Sequence, residues 1–61
     1  MTYRCTLTID THTIELRDTT PTRLAIRASA VARQVRGETT AVLYRFDLPF
    51  AQYNGVAWTN I

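Results

Sequence analysis

One bounded helical segment constrains this chain more than any other feature. Thr20-Pro21 opens it, Gly37 closes it, and residues 21–36 between them carry four of the seven arginines. Thr20 suits the N-cap, and Pro21 suits the first helical position, where its missing N–H costs nothing. Leu24, Ala28, Val31 and Val35 recur at spacings of four, three and four, with Ala32 at the margin, and form one narrow apolar stripe. Gly37 fits a left-handed stop, and Arg36 in the last turn complements the helix dipole. Alanine and valine in the seam let the helix sit close to a sheet, which must then supply the bulk.

The flanking segments alternate as strands do. Tyr3, Cys5, Leu7 and Ile9 point one way, and Thr2, Arg4, Thr6 and Thr8 the other. Asp10-Thr11-His12 interrupts the pattern. It resumes with Ile14 and Leu16 against Thr13, Glu15 and Arg17. A turn at 10–13 sets Ile9 opposite Ile14 and Leu7 opposite Leu16, which places both apolar rows on one face. With no Asn-Gly or Asp-Gly here, the expected loop has about three to five residues.

After the helix, residues 41–48 read as a third strand. Val42, Tyr44, Phe46 and Leu48 form its heavier row, with Tyr44 and Phe46 expected in the core. Ala41, Leu43, Arg45 and Asp47 form the other row, and Pro49 ends the strand. In the last twelve residues, Asn54-Gly55 is a strong tight-turn dipeptide. It either joins 50–53 to 56–59 as a small hairpin or reverses a tail lying across the sheet. The expected architecture is α+β: one domain over 1–61, with a hairpin at 2–17, a helix at 21–36, a strand at 41–48 and an aromatic C-terminal extension at 49–61. One helix packs on one face of a small antiparallel ββαβ sheet, to which the extension adds one or two short strands.

Size sharpens the question of reinforcement. A domain near 60 residues buries only about 60% of the surface its unfolded chain exposes, and its core supplies roughly 3–5 kcal/mol. The single Cys5 excludes an internal disulfide, and one histidine with one cysteine does not build a four-ligand zinc site. A partner or self-association is the remaining reinforcement. A lone cysteine suits a reducing compartment. No basic start leads into an apolar leader, and no apolar run approaches the length of a membrane span. These features together predict a cytoplasmic protein.

Catalytic chemistry has little to stand on. Cys5 and His12 are a conceivable thiolate pair, but alternation turns Cys5 inward and leaves His12 in a turn. Asp10, Glu15, Asp18, Glu38 and Asp47 are scattered among turns and wet faces. Neither glycine opens a helix, so no phosphate-binding loop can be drawn. The reading is of a non-enzymatic chain without cofactor or metal.

Two surfaces remain. On the helix, Arg23 and Arg27 lie on one flank and Arg33 farther round, with Ile26 on the outer face where the core does not need it. Arg23 in the first turn opposes the helix dipole. The plain alternative is an ordinary wet helix face. In the tail, Phe50, Tyr53 and Trp58 exceed what one small-residue helix can cover. They either form a local core on the second face of the sheet or are offered to a partner, and Trp, Tyr and Arg are the residues that dominate binding hot spots. Arg23, Ile26, Arg27, Phe50, Tyr53 and Trp58 are therefore the candidate partner-binding residues. They belong to a protein-binding module, an accessory subunit or a small phage-type inhibitor, that docks on a larger protein or on itself. The alternative is nucleic-acid binding through the helical arginines with Arg4, Arg17 and Arg45. No second helix is present for a helix-turn-helix. The segment Arg45-Phe46-Asp47-Leu48-Pro49-Phe50 has aromatics but lacks the glycine of an RNA-recognition strand. The threonines on the hairpin's outer face are explained by β-propensity.

Overall fold

A computed structural model describes residues 2–61. Strands β1 (Tyr3–Ile9) and β2 (His12–Asp18) form a hairpin, and helix α1 (Pro21–Gln34) follows. Then come β3 (Thr39–Arg45), β4 (Leu48–Tyr53) and β5 (Trp58–Asn60). The five strands form one sheet in the order β2-β1-β3-β4-β5, every adjacent pair antiparallel. Helix α1 carries the chain from the β2 edge across to the far side of β1, and it packs over β1, β2 and β3. This is a small α+β fold of two layers.

The core lies between the helix and one sheet face. Cys5, Leu7, Leu24 and Ala28 are fully buried, joined by Ala41, Leu43, Ala51 and Tyr53. Tyr3, Ile9, Leu16, Val31, Phe50 and Trp58 close its margins. The helical stripe faces the sheet from Leu24 to Val31, with Leu24 and Ala28 fully buried, while Val35 lies beyond the helix end.

Three expectations about the strands are corrected. The β1–β2 loop has two residues, Asp10 and Thr11, so Ile9 faces His12, Leu7 faces Ile14 and Cys5 faces Leu16. The register differs from the expected one by two residues, which leaves every side chain on its face because the strand period is two. Asp10 makes the short turn possible by taking φ +54°, a conformation that aspartate tolerates better than most residues. Its N–H donates to Glu38 O at 3.0 Å, tying this turn to the segment after the helix.

The second correction is the facing of β3. Ala41 and Leu43 are the buried residues, opposite Leu7 and Cys5, while Tyr44 lies on the open face and Phe46 is 70% exposed. Small Ala41 and Ala51 lie on the helical side, where the close-set helix leaves little room. The bulkier row faces away, and Tyr44 is covered there by the Arg4 guanidinium 4.5 Å from its ring centroid.

Third, β3 stops at Arg45. Phe46 and Asp47, at φ +52° and +64°, make a two-residue turn into β4, so Pro49 lies within β4 rather than ending a strand at 41–48. Tyr44 pairs with Pro49 and Leu43 with Ala51, which leaves Phe50 as the extra residue of a bulge. This irregularity lets Phe50 and Ala51 both approach the core.

At the helix ends, Thr20 occupies the N-cap without a side-chain cap bond. Asp18 instead accepts from the N–H groups of Thr19 (2.7 Å) and Thr20 (3.3 Å). The helix finishes at Gln34 with Val35 extended, so Arg33, and not Arg36, lies in its last turn. Gly37 still takes a positive φ, +129°. A Cβ there would come within 2.8 Å of the Asp10 carboxylate.

Candidate functional site

The six candidate residues separate into three environments. Arg23 and Arg27 lie on the β2 flank of the helix, and both reach Asp18, at 3.7 and 3.4 Å. Arg27 Nη1 also donates to Arg17 O at 3.1 Å. The Asp18 side chain is only 9% exposed. Burial by itself would raise its pKa, but the Thr20 and Thr19 amides and the Arg23 and Arg27 guanidinium groups together hold the carboxyl below its ordinary value. These two arginines fasten the helix to the end of β2.

Tyr53 belongs to the core, and Phe50 is half-buried at its margin. Phe50 packs edge-on against Tyr3, with centroids 6.0 Å apart. Tyr53 is 7% exposed and donates its hydroxyl to Gly55 O at 3.1 Å. The structure withdraws Tyr53 from any free surface, and the bulge in β4 is why Phe50 follows it inward.

Ile26 and Trp58 come together. They line one concavity of ≈ 380 Å³ with Ala25, Ser29, Ala30 and Arg33 along the outer face of α1. Ile26 is 64% exposed there. Trp58 is half-buried, lies 5.1 Å from the Tyr53 ring, and donates its indole N–H to Ser29 Oγ at 2.9 Å. The Asn54-Gly55 hairpin is what delivers it. Asn54 Oδ1 accepts from the N–H groups of Val56 and Ala57, turning β5 back along β4. Among the described residues Arg33 pairs with no carboxylate.

Of a second apolar surface the sequence marks only Phe50. Phe46 and Leu48 at the β3–β4 turn are 70% and 69% exposed, and with Arg45, Pro49 and Phe50 they line a concavity of ≈ 430 Å³. No Asn-Gly or glycine marks this turn, so its residues read as strand.

Cys5 and His12 are kept apart. His12 faces Ile9, four positions along β1 from Cys5, or roughly 13 Å at strand rise. Burial pushes the Cys5 thiol up to about 11, against a lesser opposing effect of the Val42 backbone. No group of three or more metal-ligating side chains occurs among the described residues, and no helix is long and apolar enough to cross a membrane.

Comparison with protein-family models, curated proteins and solved structures returns no match for this chain. The functional reading therefore rests on the residues themselves.

Proposed function

We propose that this chain is a non-enzymatic protein-binding module, an accessory subunit or inhibitor, that docks on a larger protein through the outer face of α1. The observation that carries the reading is Ile26, 64% exposed in the same concavity as Trp58. A wet helix face has no need of a large apolar residue there, whereas a partner's apolar side chain would cover it. Trp58 supports the reading because its hydrogen bond to Ser29 fixes the indole before any partner arrives, which lowers the ordering cost of binding. Arg33 at the rim favours a partner with a carboxylate beside its apolar anchor.

Nucleic-acid binding through the helical arginines has less support. Asp18 engages Arg23 and Arg27, Glu15 engages Arg17, and Arg4 reaches both Glu15 and Asp47. Four of the seven arginines thus already have carboxylate partners. A cytoplasmic setting is part of the proposal, because a lone, buried thiol needs no oxidising compartment.

The test is affinity capture from host extract with the full chain and with Ile26→Glu, followed by titration of the captured protein. Ile26→Glu melts like the parent, since the residue is exposed, and weakens binding at least about tenfold. Equal binding by the variant refutes the assignment. So does capture of nucleic acid with affinity falling steeply with salt, by a slope near −0.9 per phosphate neutralised on duplex DNA.

A further inference from the structure

The sheet order leaves β2 at an edge. Ile9 and His12 close a two-residue turn, so they carry its hydrogen bond. Bonded and open pairs alternate along an antiparallel ladder, so Leu7–Ile14, Cys5–Leu16 and Tyr3–Asp18 are bonded as well. Thr13, Glu15 and Arg17 therefore turn their N–H and C=O groups outward, away from β1. The edge is seven residues long, without proline and with an unbroken register to β1. Edges of this kind are usually shortened, bulged or covered. Here the cover among the described residues is Arg27, which donates to Arg17 O. That contact uses one lone pair of one carbonyl, and a carbonyl has two.

We propose that β2 pairs antiparallel with β2 of a second copy, with the two-fold axis at Leu16. The tripeptide Glu15-Leu16-Arg17 is complementary to itself when read antiparallel. Glu15 meets Arg17 of the second copy, Leu16 meets Leu16, and Arg17 meets Glu15. Both charged side chains lie on the open face and already pair within the strand, Nε to Oε2 at 2.9 Å. The second copy turns this pair into a ring of four alternating charges. The outward N–H and C=O groups of Glu15 and Arg17 form the backbone bonds between copies. On the helical face, half-buried Leu16 meets its mate, and the same register sets Ile14 of each copy opposite Asp18 of the other.

Neighbouring registers are worse. An axis at Glu15 sets carboxylate against carboxylate, which is destabilising directly across strands. An axis at Ile14 places Glu15 against Thr13 and forfeits both charge pairs. The Ile26–Trp58 concavity lies on the other flank of the helix, so the dimer leaves two such sites free.

Sedimentation equilibrium of the full chain tests this. The parent is expected to reach twice its 7.0 kDa mass at concentrations up to about 1 mM, the weak end of specific association, and less so in high salt. Arg17→Glu alone and Glu15→Arg alone each surround the axis with four like charges and sediment as folded monomers by circular dichroism. Mixed in equal amounts, the two variants restore both charge pairs and form the dimer. A monomeric parent at about 1 mM, a dimeric single variant, or a mixture that stays monomeric overturns the proposal.

Discussion

Replacing Ser29 by alanine removes the acceptor for the Trp58 indole N–H, and replacing Trp58 by phenylalanine removes the donor. The bond is 2.9 Å long, spans 29 residues and is partly buried. It joins β5, a three-residue edge strand, to the helix. Deleting one partner of such a bond leaves the other unsatisfied, at a cost of about 1 kcal/mol. The whole domain holds only roughly 3–5 kcal/mol, so this is a large fraction. For Ser29→Ala the melting temperature falls by about 4–8 °C. Trp58→Phe costs somewhat more, because the smaller ring also gives up packing against Tyr53. The double variant should cost little more than Trp58→Phe alone, since the bond can be lost only once. The cycle then yields a coupling of about 0.5–1.5 kcal/mol. Thermal and urea unfolding followed by far-ultraviolet circular dichroism measures all four corners. Additivity within about 0.3 kcal/mol would show that the hydrogen bond does not hold the last strand to the helix, and that the concavity is not preorganised by it.

Two further outcomes follow from local geometry. The Asp18 carboxyl is held below its ordinary value of 3.8, so its stabilising effect is present above that value and is lost as the pH falls through the lowered one. Asp18→Asn should therefore lower the melting temperature at neutral pH and flatten its decline in acid; melts recorded as a function of pH that run parallel for the two proteins would contradict this. Phe46 holds φ +52° with its ring 70% exposed, a conformation that costs most L-residues about 1–2 kcal/mol. Phe46→Asn relieves part of that cost and should raise stability by up to about 1 kcal/mol, and a loss in urea unfolding would mean that the ring makes contacts worth more than the strain.

The limits of sequence reading show in β3 and β4. Residues 41–44 are apolar on both rows, so the period of two identifies a strand there without saying which row is covered. The answer came from pairing with β1, which set Leu43 opposite Cys5 and Ala41 opposite Leu7. The Phe46-Asp47 turn was hidden because Phe46 is a poor residue for positive φ and Asp47 alone, with no glycine beside it, fits an outward strand position equally well. Among the candidate site residues, Ile26 was legible as an outer-face residue from the helical wheel alone. For Tyr53 and Phe50 the sequence left local core and partner contact both open, because their burial depends on a hairpin and a bulge that periodicity does not encode.

Local chemistry determined the elements. Alternation over 3–9 and 13–17, Pro21 at the helix start, the Leu24–Ala28 stripe and the Asn54-Gly55 reversal each depend on residues a few positions apart. Tertiary structure alone decided what lies on either side of each element: Arg23 and Arg27 around Asp18, Tyr53 beneath the helix layer, and Trp58 beside Ile26. These juxtapositions join residues 5 to 32 positions apart. They arise because β4 and β5 extend the sheet beyond β3, so that side chains on its helical face reach the helix from positions far along the chain.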